Sequence, residues 1–138
     1  MRAIVDTNVV AYYLLDTHPF AEEARTFWRE VEAPAAPAMW EAELANVVWM
    51  SVRTGVFTLA EGHRRLGLAA KLGIQSVANR RLWRGALTRA TTSGAAVYDT
   101  LFVELAARRR LPLATFDRKV LQAFPGIAKR PGTLVSRQ

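Results

Sequence analysis

The sequence predicts an α/β fold, in which a parallel sheet carries helices on both of its faces. Short apolar runs alternate along the chain with longer segments whose apolar residues recur at three- and four-residue steps. Glycine, proline and small polar residues separate these segments, and no internal repeat is present. Because neighbouring parallel strands need long crossover connections, strands that alternate with helices favour a parallel sheet.

The predicted strands are short and apolar, and two of them end at an aspartate. Residues 2–5 form a buried strand that ends at Asp6. Residues 111–116 form a second apolar strand that ends at Asp117. The remaining candidates are residues 33–38, which form a loop or a short strand, residues 73–77 and a last strand at residues 133–136.

The predicted helices are recognised by one apolar stripe each and by the residues at their ends. Thr17 or His18 caps a helix whose first turn contains Pro19. Thr58 and Glu61 form a capping box at the start of another helix. The other helices are predicted over residues 8–15, 39–53, 79–91, 98–110 and 118–124, and the helix of Pro19 extends over residues 19–31.

Composition limits the chemistry that the chain can perform. Its 138 residues, 51% of them hydrophobic, fit one domain over residues 1–138 with a real core. The absence of cysteine excludes disulfides, thiolate metal sites and cysteine nucleophiles. The two histidines, His18 and His63, have no partner at metal-ligand spacing, so we expect both at the surface.

Hydropathy and charge indicate the setting of the protein. The apolar stretches fall far short of the roughly 20 residues that a membrane span needs. Asp6 and Asn8 interrupt the segment where a signal peptide would be apolar, so we expect a cytoplasmic protein without membrane contact. The net charge of +7 suggests a polyanionic partner, either nucleic acid or an acidic protein segment.

Three of the aspartates lie at the borders of predicted buried elements. Asp6 and Asp117 directly follow strands, so both would stand at the carboxyl edge of a parallel sheet, where ligands bind in open α/β folds. Asp99 lies in the first turn of a helix. Each of the three could equally serve as a helix cap or a first-turn acid, but their joint placement favours a site.

A glutamate from the helix over residues 39–53 would complete the acidic group. Glu41 and Glu43 lie on opposite flanks of its apolar stripe, and their spacing does not decide between them. Crowded carboxylates repel one another, and a hard divalent cation offsets this repulsion. A site rich in oxygen and free of sulfur therefore indicates magnesium or manganese.

Four motifs carry a resemblance to a known family. They are IVDTNVV at residues 4–10, ELANVVW at 43–49, YDTLFVELA at 98–106 and LATFDRKVL at 113–121. In this order they resemble the PIN-domain family, and particularly the VapC-type ribonuclease toxins of bacterial toxin–antitoxin pairs. The resemblance spans nearly the whole chain, although no motif is recognised between residues 55 and 92.

The resemblance implies a three-layer α/β/α sandwich with a mainly parallel sheet. It also implies a magnesium- or manganese-dependent endoribonuclease that forms a homodimer and is neutralised by a cognate antitoxin protein. The catalytic and metal-binding acids carried over by position are Asp6, Glu43, Asp99 and Asp117. The polar neighbours implied with them are Thr7, Asn8, Thr115 and, as a helper or helix-packing residue, Asn46.

The expected mechanism is hydrolysis of an RNA phosphodiester by metal-activated water. Asp6 and Asp99 would bind the principal ion directly, while Glu43 and Asp117 would act through water or hold a second ion. One alternative is a non-catalytic RNA-binding or regulatory domain with the same fold. Another is a phosphoacceptor receiver or an aspartate-based phosphatase, but Asn8 occupies the position where phosphatases favour a second aspartate.

Overall fold

The computed structural model describes residues 1–136, which contain one sheet of five parallel strands. The spatial order of the strands is β3-β2-β1-β4-β5. The strands are β1 (Arg2–Val5), β2 (Glu32–Pro37), β3 (Gln75–Val77), β4 (Leu113–Ala114) and β5 (Ala128–Lys129). The predicted α/β class with a parallel sheet is confirmed.

Helices connect and cover the strands. They are α1 (Thr7–Leu14), α2 (Ala21–Glu30), α3 (Trp40–Arg53), α4 (Leu59–Ala70), α5 (Trp83–Ser93), α6 (Val97–Arg109), α7 (Arg118–Ala123) and α8 (Pro131–Leu134). A short 3-10 turn, Asn79–Arg81, precedes α5. No helix within residues 1–136 combines the length and the apolar character that crossing a bilayer requires.

Both faces of the sheet are buried, as a three-layer sandwich requires. Ala3, Ile4 and Val5 are consecutive in β1 and all fully buried, although successive side chains of a strand point to opposite faces. Helix α6 packs on β1, β2 and β4 and carries α5 on its outer side, whereas α1 packs with α2, α3 and α4. Right-handed crossovers that run in opposite directions along the sheet place these two groups of helices on opposite faces.

The strand order reverses between β1 and β4. The chain leaves β1 towards β2 on one side, and it leaves β4 towards β5 on the other side. Such a reversal opens a crevice at the carboxyl ends of the two neighbouring strands, which is where ligands bind in open α/β folds. Asp6 directly follows β1, and Asp117 lies three residues beyond β4, so both acids lie at this crevice, as the sequence predicts.

Two element predictions near Pro19 and the carboxyl end are wrong. The last strand is β5, Ala128–Lys129, rather than residues 133–136, because Pro131 begins helix α8 at that point. The second helix begins at Ala21, and Pro19 lies in the preceding turn, after a cis peptide bond with His18. Neither Thr17 nor His18 caps α2 with its side chain, because Phe20 occupies the cap position.

Other predictions differ from the structure in their boundaries. The helix predicted over residues 79–91 is divided into the 3-10 turn and α5, and the strand predicted over residues 111–116 pairs as a strand only over β4.

Thr58 caps α4 by accepting a hydrogen bond from the backbone N–H of Glu61. The Glu61 carboxylate binds arginine side chains instead of closing the capping box. Both histidines are exposed, as predicted.

Candidate active site

Four helices begin around the crevice, and each brings one acid to it. Helices α1, α3 and α7 follow the carboxyl ends of β1, β2 and β4, and the first turn of α6 reaches the same place. The positive end of each helix dipole favours a carboxylate at this position. The acids are Asp6 as the cap of α1, Glu43 in the first turn of α3, Asp99 in the first turn of α6, and Asp117 as the cap of α7.

The four acids line a single cavity of about 400 Å³. Side chains that the sequence predicts at four distant points of the chain are therefore brought together in space. The rest of the wall is partly polar and partly apolar. Its polar residues include Thr7, Asn8 and Asn46, and its apolar or aromatic residues include Ala11, Tyr12 and Val47.

Asp6 is held in place by hydrogen bonds to both of its carboxylate oxygens. Oδ1 accepts a hydrogen bond from the backbone N–H of Thr7 at 2.7 Å. Oδ2 accepts one from the hydroxyl of Thr115 at 2.8 Å and a longer one from Nδ2 of Asn8 at 3.4 Å. The orientation of Asp6 is thus determined by residues from both α1 and the segment after β4.

Asn8 ties the beginning of α1 to the segment that follows β4. Its Nδ2 donates to the hydroxyl oxygen of Thr115 at 3.2 Å, and its Oδ1 accepts from the backbone N–H of Phe116 at 3.1 Å. The same Thr115 oxygen accepts a hydrogen bond from the backbone N–H of Asp117 at 3.0 Å. The fully buried Thr115 hydroxyl is therefore the centre that connects Asp6, Asn8 and Asp117.

Glu43 and Glu41 have different surroundings, although they are only two residues apart. The hydroxyl of Thr7 donates a hydrogen bond to Oε1 of Glu43 at 2.7 Å, which directs Glu43 towards Asp6 and the cavity. Glu41 is exposed and accepts a hydrogen bond from Ser76 of β3 at 2.7 Å. The structure thus places Glu43, and not Glu41, beside the other acids.

Asp117 and Asp99 complete the acidic group from the other side of the crevice. Oδ1 of Asp117 accepts hydrogen bonds from the backbone N–H groups of Lys119 at 2.8 Å and Val120 at 3.2 Å, so this carboxylate also caps α7. Asp99 is partly buried and also lines the cavity. Asp117 therefore both caps α7 and lines the cavity.

Burial and mutual repulsion raise the pKa values of three of these acids. Burial raises the pKa of Asp6 from 3.8 to about 7; the Thr115 hydrogen bond opposes this rise, and the charges of Glu43 and Asp99 add to it. Burial also raises the pKa of Glu43, and the charge of Asp99 adds to that rise. The pKa of Asp99 is raised by burial and by the charge of Asp117, and Lys119 opposes this rise.

The donor atoms of this cavity suit a hard divalent cation. They are all oxygens, and their negative charges raise one another's pKa values across a shared space. Among residues 1–136, no three acidic, histidine or cysteine side chains stand close enough to form a ready-made metal cluster. The fit therefore rests on the chemistry of the donors and on their common cavity.

The sequence of the chain matches the PIN domain family over residues 3–126. The chain belongs to the PIN domain family. All four acids lie within the matched residues, and the predicted family membership is confirmed. None of the curated protein sequences compared with this PIN domain matches it significantly.

Solved structures share the fold of this PIN domain at low sequence identity. PAE2754 from Pyrobaculum aerophilum has a TM-score of 0.76 and 21% identity, over 97% of this chain and 86% of that chain. A toxin–antitoxin complex from Klebsiella pneumoniae has a TM-score of 0.64 and 18% identity, over 94% and 97% of the two chains. VapBC2 from Rickettsia felis, bound to a DNA fragment from their promoter, has a TM-score of 0.64 and 15% identity, over 94% and 98%.

Sequence analysis did not assign Tyr12 or Lys119 to the site of this PIN domain. Tyr12 lines the cavity, and its position four residues after Asn8 on α1 is the signal that could have identified it. Lys119 acts on Asp99 through its charge. It lies two residues after the cap residue Asp117, in the first turn of α7, so it too could have been found from spacing.

Proposed function

We propose that this PIN domain is a magnesium- or manganese-dependent endoribonuclease. The observation that carries the proposal is the single cavity into which Asp6, Glu43, Asp99 and Asp117 project from four different elements. The whole chain, with these four acids included, has a net charge of +7, which suits a polyanionic substrate such as RNA. Membership of the PIN domain family supports the same activity.

The four acids would hold the metal ion. We assign Asp6 and Asp99 as direct ligands of the principal ion, and Glu43 and Asp117 as ligands through water or of a second ion. When bound, such an ion activates water for attack on phosphorus and offsets the charge that develops on the phosphoryl oxygens. All four acids are therefore proposed as catalytic residues.

The polar neighbours of the acids orient them for this task. Thr115 and Asn8 hold Asp6, and Thr7 holds Glu43, so these ligands are fixed before substrate arrives. With a pKa of about 7, Asp6 is half protonated near neutral pH, and a bound cation would displace that proton. The ammonium group of Lys119, whose charge acts on Asp99, would attract a substrate phosphate.

We further propose that the protein is the toxin of a toxin–antitoxin pair and that it acts as a homodimer. One of the structures that share its fold is named as a toxin–antitoxin complex, and another is named as VapBC2. The side chains of Trp49, Val56 and Leu59 are more than half exposed, which makes α3 and the start of α4 candidates for a surface that another protein covers. Copurification with the protein from the neighbouring reading frame, and light scattering of the purified chain, would test these two assignments.

The central experiment is cleavage of a defined single-stranded RNA by the purified protein. We expect cleavage with Mg²⁺ or Mn²⁺, no cleavage in EDTA, and no cleavage by Asp6→Asn or Asp99→Asn. Asp16→Asn is a matched control, because Asp16 is exposed, pairs with Arg25 and, unlike the four acids, does not line the cavity. A folded wild-type protein that binds RNA but cuts none with either metal would instead support a non-catalytic RNA-binding domain.

A further inference from the structure

A second cavity lies directly beside the acids. It has a volume of about 420 Å³ and is lined by Met39, Ala42, Glu43, Asn46 and Tyr98. Glu43 and Asn46 also line the acidic cavity, so the two cavities are neighbours that share a wall on α3. A volume of this size lies within the range of about 300–1,000 Å³ that is usual for small-ligand sites.

Tyr98 forms the aromatic side of this second cavity. Its side chain is 68% exposed, although it belongs to a helix whose following residues are almost all buried. The residue precedes Asp99, so the ring stands at the edge of the acidic group in the first turn of α6. An aromatic ring exposed next to a cavity offers a flat apolar face that a second ring can cover.

The polar part of the same wall suits a nucleobase better than a purely apolar ligand. Asn46 is exposed, and its amide can both donate and accept hydrogen bonds, as the edge of a base requires. Met39 and Ala42 complete the lining of this cavity. Bases of any identity stack on aromatic side chains, because every base has a π face.

We infer that Tyr98 and Asn46 form a subsite for the nucleobase next to the scissile phosphate, an inference that rests on the proposed ribonuclease function. A strand whose phosphate lies at the acids passes the shared wall of Glu43 and Asn46, and the adjacent base then stacks on Tyr98. Bases within a duplex are already stacked and paired, so they cannot enter this subsite. The subsite therefore selects single-stranded RNA.

The first experiment measures the kinetic constants for cleavage of a short single-stranded RNA in Mg²⁺. We expect Tyr98→Ala to raise KM by at least about fivefold, the lower limit for the loss of one stacked base, while Tyr98→Phe stays close to the wild type. Trp83→Ala is the matched control, because Trp83 is 50% exposed but lines neither cavity. An unchanged KM in Tyr98→Ala would overturn the inference, provided that the wild type cuts the RNA.

The second experiment distinguishes base stacking from a structural role of Tyr98. RNAs that carry an abasic nucleotide on the 5′ or the 3′ side of the mapped cut are compared with the intact RNA. For one of the two abasic positions, the KM of the wild type should rise by the same factor as the KM of Tyr98→Ala rises with intact RNA. Tyr98→Ala assayed with that abasic RNA should then show little further increase in KM. Additive losses at both positions would overturn the inference.

Three further outcomes keep the inference separate from the proposed function. If the wild type cuts no RNA with Mg²⁺ or Mn²⁺, the proposed function itself fails, and the subsite fails with it. If Tyr98→Ala changes the molecular mass in light scattering, the ring belongs to an interface between copies of the chain, and the subsite is wrong. If Tyr98→Ala abolishes the Mg²⁺-dependent rise in Tm, the variant has disturbed Asp99, and the abasic RNAs then decide with the wild type alone. A higher KM for one abasic position supports the inference, and an unchanged KM for both positions overturns it.

Discussion

The hydroxyl of Thr115 donates a hydrogen bond to Oδ2 of Asp6 at 2.8 Å, across 109 residues of sequence. This bond joins the carboxyl ends of the two neighbouring strands at which the strand order reverses. It also stabilises the ionised form of a carboxyl group whose burial favours the protonated form. One buried hydroxyl therefore contributes both to the geometry of the crevice and to the charge state of its central acid.

Replacing Thr115 by valine should affect both stability and activity. Thr115→Val preserves the shape of the side chain, but it leaves Asn8 and the N–H of Asp117 without their shared acceptor. We expect the free energy of unfolding to fall by about 1–3 kcal/mol and the pKa of Asp6 to rise further. Urea denaturation would measure the free energy of unfolding, and a pH–rate profile would measure the pKa of Asp6. Thr115→Ser, which keeps the hydroxyl, should bring both values most of the way back to those of the wild type. Equal stability of the valine variant and the wild type would contradict the role given to this hydroxyl.

The metal-free protein should become less stable as the pH rises from about 4 to about 7. The pKa of Asp6 rises from 3.8 when exposed to about 7 in the folded chain, so the folded state holds a proton that the unfolded state releases in this window. Stability falls with pH wherever the unfolded state binds fewer protons. The loss due to Asp6 amounts to at most about 4 kcal/mol.

The variant Asp6→Asn tests this pH dependence, because its side chain cannot ionise. In EDTA, we expect Asp6→Asn to be more stable than the wild type at pH 8, and the difference should shrink towards pH 4. Asp16→Asn should retain the pH dependence of the wild type between pH 4 and pH 8, since Asp16 does not line the cavity and its hydrogen bond with Arg25 lowers the pKa of its exposed carboxyl group. Parallel stability curves for Asp6→Asn and the wild type would show that Asp6 does not titrate in this range.

Divalent metal should stabilise the wild type and not the variants that lack a direct ligand. A ligand that binds only the folded state at a hundred times its Kd adds about 2.7 kcal/mol to the free energy of unfolding. We expect Mg²⁺ or Mn²⁺ to raise the Tm of the wild type, EDTA to reverse the rise, and Asp99→Asn to show little of it. A rise of equal size in Asp99→Asn would remove this residue from the set of ligands.

Glu43→Gln and Glu41→Gln form a matched pair on the same helix. Glu43 lines the acidic cavity, whereas Glu41 binds Ser76 of β3. We expect Glu43→Gln to reduce metal-dependent cleavage by about 10- to 100-fold or more, and Glu41→Gln to stay near the wild type. Initial rates on one RNA at saturating Mg²⁺ would decide between them. The opposite order of effects would show that the wrong glutamate has been assigned.

Gly85 of α5 tests the packing of α5 against α6. A Cβ atom at Gly85 would overlap the carboxylate of Glu104, which is nearly buried and binds both Arg89 at 2.9 Å and Arg108 at 2.6 Å. We expect Gly85→Ala to reduce the free energy of unfolding by about 1–3 kcal/mol. Gly67→Ala, at an open position of α4, should instead be neutral or stabilising. Thermal denaturation of both variants gives the comparison, and a stable Gly85→Ala protein would mean that Glu104 moves without loss.

Several boundaries could not be obtained from local patterns, because a weak pattern acquires its structure from its neighbours. Residues 33–38 looked like a loop or a short strand, yet β2 is an inner strand of the sheet, between β1 and β3. After Phe124 the strand was predicted at residues 133–136, but the structure forms it earlier, as β5, Ala128–Lys129, which pairs with β4. Local alternation of side chains does not reveal such pairing partners, which lie far away along the chain.

The amino-acid sequence by itself determined the α/β class, the parallel sheet and the positions of Asp6 and Asp117 after strands, because these follow from short-range periodicity and from the residue types at element ends. Spacing alone left Glu41 and Glu43 equivalent, and only the resemblance to the PIN-domain family favoured Glu43. The tertiary structure decided which glutamate faces the cavity, which hydroxyl holds Asp6 and that Tyr98 stands beside the acids. These features depend on the order of strands in the sheet, which brings together residues that no local pattern connects.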